Sequence, residues 1–388
     1  METPRHLPEE ILTEILARLS LRSIYRCKSV CKTWKSAIES VYFRRLFLSL
    51  HQNSTSWLLW CCRRKEELLR FYGCEAWDLP ESIASIIPQI RLFYSNVLVL
   101  IRGYHRHCFV GNPVLQQWVK IPPSPNDSSR VYCLVTRVDD DGVLLSFKVV
   151  WFASLRTTSN NLSCTLSVLL YSSETGLWAS KIIHCPHQIT SLTDYVTVNG
   201  TNYYSSLIQP GVLVAHDFYS ETDQFRVIPL PDHPNHSDDR DLKRRALTTS
   251  GGFLMCMRTL AQKEETVLKV WRLNNNDDSW QLLWKIAFPM FIGDYVPVEM
   301  HPLDSDIVYL RSEQNRHSVS CNLRTQKNII LEVAYSIYVM NFKFSVRLLN
   351  FVLPRWMESM PRPPQVEMID TTSLLSDLTL KRKRAYIR

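Results

Sequence analysis

Apolar positions along the chain follow two regimes. From residue 7 to about 50 they recur at helical spacing. Ile11, Leu12, Ile15, Leu16 and Leu19 stand three and four residues apart, on one helix face. Pro8 suits a first helical turn, where a missing N–H costs nothing, and Glu9 and Glu10 fall at the positive end of the helix dipole. Ser20 and Ser23 interrupt the pattern and suit the cap of a second short helix carrying Ile24 and Tyr25. Ser29 is placed to cap a third, with Val30, Trp34, Ala37, Ile38 and Val41 along one side. Three short helices enclose only a thin core, so the bundle is expected to need a partner, or the rest of its own chain, over its remaining apolar face.

From about 56 to 353 the pattern changes to short runs rich in Val, Ile, Leu, Tyr, Phe and Trp, punctuated by turn residues, which reads as strands. A unit repeats there: an apolar strand, a polar turn, then a Trp or bulky apolar residue, often with an exit resembling Leu-Pro. The six units are Phe71 to Pro80, Val110 to Trp118, Leu170 to Trp178, His216 to Phe225, Trp271 to Trp280 and Cys321 to Ile329. Their markers at 77, 118, 178, 225, 280 and 329 average about 50 residues apart, near the kelch period. A hairpin pair cannot bury both faces alone, whereas radial stacking buries them and lets the Trp wedge between neighbouring sheets. Six units suit a closed ring, with Val333 to Leu353 expected to supply a closing strand. A pair of β sandwiches with coincident spacing is the alternative architecture. From about 355, Pro354, Pro361, Pro363 and Pro364 open a tail that ends in a basic cluster and reads as a flexible extension.

Composition narrows the class. With 45% hydrophobic and 21% charged residues, the 388-residue chain has ample apolar surface for a core. No apolar run approaches the ~20 residues that span a bilayer, so no membrane partner is expected. No apolar leader is visible near Met1, and the odd count of 11 cysteines fits an intracellular protein, expected in nucleus or cytoplasm. The net charge of +8 resolves into +4 over residues 1–50, +4 over residues 377–388 and zero between them. A body without basic excess does not neutralise phosphates, so no nucleic-acid partner is expected. Lys381, Arg382, Lys383 and Arg384 match a short nuclear-import signal, with a solubilising charged end as the alternative.

Leu7-Pro8-Glu9-Glu10-Ile11-Leu12-Thr13-Glu14-Ile15-Leu16-Ala17-Arg18-Leu19, followed by Ser23 to Ile38 with Val30-Cys31-Lys32-Thr33-Trp34, resembles an F-box nearly throughout. Ser20 departs from it, standing where many F-boxes carry Pro. The strand region resembles the kelch-type F-box-associated domains of large plant F-box families, although Gly-Gly occurs once, at Gly251-Gly252, and the chain has only 10 glycines. The resemblance implies an α+β chain: a three-helix F-box over 1–50, an all-β six-bladed kelch-type propeller over 51–354, and the tail over 355–388. It further implies docking on a Skp-family adaptor and, through it, a cullin-RING ubiquitin ligase, with the propeller taking an unknown protein substrate. By resemblance, the adaptor contact comprises Leu7, Pro8, Ile11, Leu12, Ile15, Leu16, Leu19, Val30, Cys31 and Trp34.

Catalytic, cofactor and metal chemistry finds no foothold. His105-Arg106-His107-Cys108 has no second ligand pair at zinc spacing, and His184, Cys185 and His187 read as loop. Cys27 and Cys31 read as small core residues. Asp139-Asp140-Asp141-Gly142 suits a tight hairpin turn, and Asp238, Asp239 and Asp241 suit a solvated loop. No phosphate-binding glycine loop, nucleophile elbow or RING-like Cys/His array is present. The expected role is a substrate receptor without a catalytic residue, cofactor or metal. A scaffold uncoupled from degradation, or a propeller enzyme, are the alternatives.

Overall fold

The computed structural model describes residues 8–51, 57–61, 68–72, 91–95, 98–102, 108–112, 115–125, 131–139, 143–157, 164–186, 195–205, 211–232, 244–261, 266–274, 277–288, 295–302, 304–312, 318–331, 348–352 and 360–374. Four helices come first: α1 Glu9–Ala17, α2 Leu21–Cys27, α3 Lys32–Glu39 and α4 Val41–Leu50. The expected three become four because Ser40 turns extended after α3, and its hydroxyl accepts the Phe43 amide N–H at 3.1 Å, capping a new helix. Pro8 sits just before α1 as its N-cap, and Ser20 caps α2 by accepting the Ser23 N–H. Ser29 does not cap α3; the Cys31 sulfur does, accepting the Trp34 N–H at 3.4 Å. Leu16, Ala17, Ile24, Ile38, Phe43 and Phe47 form one small core with contributions from all four helices.

Antiparallel sheets follow. The first contains β3 Arg91–Ser95, β4 Leu98–Arg102, β5 Cys108–Asn112 and β6 Gln117–Ile121. The second has β7 Val131–Val138, β8 Leu144–Thr157, β9 Cys164–Ser172 and β10 Trp178–Cys185. The third has β11 Tyr195–Val198, β12 Thr201–Ser205, β13 Val212–Asp217 and β14 Arg226–Pro229. The fourth has β15 Arg245–Ser250, β16 Phe253–Ala261, β17 Thr266–Leu273 and β18 Trp280–Phe288. The fifth has β19 Tyr295–Met300, β20 Ile307–Ser312, β21 Ser318–Asn322 and β22 Asn328–Leu331. A three-stranded sheet joins the two ends of the region: β1 Trp57–Cys61 pairs with β2 Leu68–Tyr72 on one side and β23 Leu348–Val352 on the other. The expected closing strand therefore comes from within Val333 to Leu353.

Strand alternation assigns each sheet two partners. In the second sheet, Leu134, Val149 and Trp151 join a core with the first sheet, while Cys133, Val135 and Val150 join a core with the third. In the fourth, Leu254 and Cys256 face the third sheet, and Met255 and Met257 face the fifth. A sandwich sheet buries one face; these bury both, which sets the β-sandwich alternative aside. Five of the six repeated units are the hairpins between the third and fourth strands of the five sheets. The remaining unit runs from β2 into residues outside the described set.

These hairpins explain how so few glycines suffice. Ser172, Asn274 and Asn322 each donate an amide N–H across the loop, to Leu177, Ser279 and Lys327 carbonyls. Two residues before the outer strand resumes, or one in the first sheet, the chain turns left-handed: Gln116, Gly176, Asp278 and Gln326 have φ between 55° and 70°. Three of the four adopt φ > 0 without glycine. The marker tryptophans then bridge sheets. Trp178 Nε1 donates to the Pro122 carbonyl at 3.0 Å, and Trp280 Nε1 to the Pro229 carbonyl at 2.8 Å, each reaching the exit of the preceding sheet.

Two expectations are corrected. His184 and Cys185 lie in β10, not in a loop, because the ladder with β9 runs on to pair them with Thr165 and Cys164. The flexible tail does not hold for residues 360–374: they carry β24 (Met368–Ile369), paired to β6, with Met360, Thr371 and Leu374 buried. Lys381 to Arg384 lie outside the described residues.

Gly111 in β5 stands directly opposite Trp118, and a Cβ there would meet the indole ring at 2.2 Å. Trp118 is itself buried and has no room to withdraw. Gly111→Ala is expected to lower stability by about 1–3 kcal/mol. In a Trp118→Leu background the same substitution should cost visibly less, as thermal unfolding of the four variants will show.

Candidate functional site

The helical module divides its apolar stripe between two tasks. Leu16 is 1% exposed and lies at the centre of the module's core, with Leu12, Leu19 and Trp34 packed partly buried around it. Ile11 and Ile15, one turn apart on α1, each keep 49% of their surface exposed, and Val30 in the α2–α3 turn keeps 61%. Pro8 and Cys31 are also exposed. Sequence spacing placed Ile11, Leu12, Ile15, Leu16 and Leu19 on one face of α1, but a stripe this wide wraps around the helix. Its inner edge serves the module and its outer edge faces solvent.

Leu16 differs from the exposed positions: it presents no surface and packs in the module's own core. Cys31 is corrected from core residue to exposed helix cap, whereas Cys27 does pack against the core. Leu7 lies outside the described residues. Tyr25 is 63% exposed although its neighbour Ile24 is fully buried. The two are adjacent on a seven-residue helix, about 100° apart, so they cannot share a face. That angle was the available signal for Tyr25 as a further surface residue.

The electrostatic frame is light. Glu14 and Arg18 form an exposed ion pair one turn apart on α1, and Lys28 reaches Glu39 at 3.5 Å between α2 and α3. Exposed pairs of this kind contribute little stability. The character of this surface is therefore set by its aliphatic side chains rather than by its charges.

Among the described residues of the strand region, no reactive constellation competes with this surface. Cys133 is buried among Asn202 and Tyr204, and burial raises its thiol pKa to about 12, the opposite of an activated nucleophile. His216 is driven down to about 4 by burial, with Nδ1 at 3.2 Å from the Gln224 carbonyl. Lys148 lies over the Tyr219 ring at 4.3 Å and donates to the Phe218 carbonyl, which fixes the turn after β13 against the second sheet. Among the described residues, no three His, Cys, Asp or Glu side chains gather as a metal site.

A small helical module with its own core and an exposed aliphatic edge, followed by stacked two-faced antiparallel sheets, is the build of an F-box protein that carries a β-propeller. Comparison with known proteins agrees. The F-box domain family matches residues 5–46, and the family described as "F-box protein At3g26010-like, beta-propeller" matches residues 55–338. F-box protein At3g26010 of Arabidopsis thaliana is 57% identical over 96% of this chain and 95% of its own length. The putative F-box/kelch-repeat protein At4g22430 of the same plant is 44% identical over 95% of each chain. F-box protein At1g49990, also from Arabidopsis thaliana, is 38% identical over 94% of this chain and its full length. The chain belongs to this family of F-box proteins with a C-terminal β-propeller. Such proteins are in general non-catalytic, with the F-box binding the Skp1 adaptor of Skp–cullin–F-box complexes.

Replacing Ile15 or Ile11 by Asp places a charge on the exposed aliphatic edge without touching the module's core. Each change should weaken capture of a Skp-family adaptor by about tenfold or more, the loss of one buried aliphatic side chain, while helical circular dichroism stays intact. Leu16→Asp should instead unfold the module. Full adaptor capture by well-folded Ile11→Asp and Ile15→Asp variants would remove this surface from the contact.

Proposed function

We propose that the chain is the substrate-recognition subunit of a Skp–cullin–F-box ubiquitin ligase. Its exposed α1 edge and the Val30–Cys31 turn dock on the adaptor, with Trp34 holding the turn from beneath. The propeller presents a bound target protein for ubiquitination and proteasomal degradation. The observation that carries this reading is the coexistence of a module with its own core and an outward aliphatic edge in one chain with the family's propeller. Such a receptor accelerates transfer by concentrating the target's lysines near the conjugating enzyme, with no bond-making residue of its own.

We further read the propeller as six-bladed. The strands β3, β7, β11, β15, β19 and β23 each begin or close one sheet. β3 adjoins β7, β11 adjoins β15, and β19 adjoins both β15 and β23, which is the contact pattern of innermost strands around an axis. Three strands from the two ends of the region then complete the last blade.

The test compares wild type with Ile15→Asp in cells by proximity labelling. Proteins labelled by both are propeller targets. Under the proposal their abundance falls with wild type, recovers under proteasome inhibition, and is unaffected by Ile15→Asp. Targets whose abundance is the same with both chains, while wild type still captures the adaptor, would establish the degradation-free scaffold instead.

A further inference from the structure

Three marker tryptophans use their indole N–H in the same way, and one of them has an unusual acceptor. Trp178 and Trp280 each donate to a backbone carbonyl at the exit of the preceding sheet. Trp118, which holds the corresponding place in the first sheet, donates instead to the Thr371 hydroxyl at 3.0 Å, 253 residues away in the C-terminal segment. Both partners are buried, Trp118 at 1% and Thr371 at 2% exposure, so this hydrogen bond forms away from water.

The rest of residues 360–374 follows the same course. The Met360 amide N–H donates to Gln117 Oε1 at 3.2 Å, and the Met360 side chain enters the core shared by the first and second sheets, where Val366 and Met368 also pack. Met368 and Ile369 pair with Val119 and Trp118, adding a fifth strand to an outer edge that would otherwise be exposed. Farther along the sheets, the Pro364 carbonyl passes the left-handed turn at Gly176 so closely that a Cβ there would stand 2.7 Å from it. The segment ends in a turn in which Asp370 Oδ1 accepts the Ser373 N–H and Leu374 is fully buried. It therefore touches the first sheet through Gln117 and Trp118, and the second through Gly176.

We propose that residues 360–374 are a latch. They staple the first two sheets from outside, and the Trp118–Thr371 hydrogen bond is the catch. β23 closes the propeller through its strand ladder; the latch secures it a second time at the next boundary. Its ladder is only two residues long, so it is the part of the closure that opens first.

The catch is tested in the full chain by cleavage with a glutamate-specific endoprotease at exposed Glu367, next to the paired Met368. When opening is fast, cleavage tracks the open population. Thr371→Val removes the acceptor while keeping the shape and should raise cleavage at Glu367 by about fivefold or more. Thr371→Ser, which keeps the hydroxyl, should be cut at close to the wild-type rate. A chain ending at residue 374 should melt with the full protein, whereas one ending at 359 should melt lower or be insoluble. Adaptor capture should be unaltered in Thr371→Val, which separates this test from that of the ligase reading. Wild-type cleavage of Thr371→Val, or a chain ending at 359 that melts with the one ending at 374, overturns the latch.

Discussion

A four-stranded sheet whose successive side chains are apolar on both faces must find a neighbour on each side. Every other feature of the strand region answers that demand. Alternation along β8 sends Val149 and Trp151 one way and Val150 the other; along β16 it sends Cys256 one way and Met255 and Met257 the other. Burial of each such side chain contributes on the order of 1.5–3 kcal/mol, and half of that contribution is lost on any sheet left without a neighbour. A row of these sheets therefore cannot end. The chain meets the constraint by bringing β23 back to β1, and by laying its C-terminal segment over the first and second sheets.

The helical module meets the opposite condition. Six buried side chains form its core, too few to use every apolar residue that its sequence carries. Leu16 and Ile24 go inside; Ile11, Ile15, Tyr25 and Val30 remain in water. A surplus of exposed aliphatic and aromatic side chains on so small a unit is the mark of a surface made to be covered. The strand region buries most of its apolar side chains between sheets and leaves others, such as Leu177, Ile182, Ile329 and Ile330, at its surface; the helical module is smaller and exposes a larger share of its own.

Much of this was legible in the residues. The three-and-four spacing in α1, the cap at Ser20 and the hairpins marked by Trp118, Trp178 and Trp280 follow from local chemistry, and the structure has them where the spacing put them. What escaped was tertiary. The spacing of Leu16 and Ile15 is equally helical; only the placement of α3 and α4 decides which of them is inside. Ser40 is a sound cap, but Val41 after it continued the apolar side assigned to the third helix, and the break was invisible. The segment from Met360 to Leu374 has no periodicity of its own and is rich in proline, so it reads as loose chain. Its order comes from Gln117, Trp118 and Gly176, residues far away in sequence. Gln116, Asp278 and Gln326 took left-handed turn positions for which glycine was the expected signal.

The central claim is that this chain reserves the outer edge of its helical module for an adaptor and keeps its strand region for another partner. Hydrogen–deuterium exchange of the full chain, alone and with a purified Skp-family adaptor, tests it most directly. Slowed exchange confined to residues 8–19 and 30–34, with the blades unchanged, is the predicted result. Exchange that is unaltered in those segments at saturating adaptor, or that slows only in the blades, would contradict it.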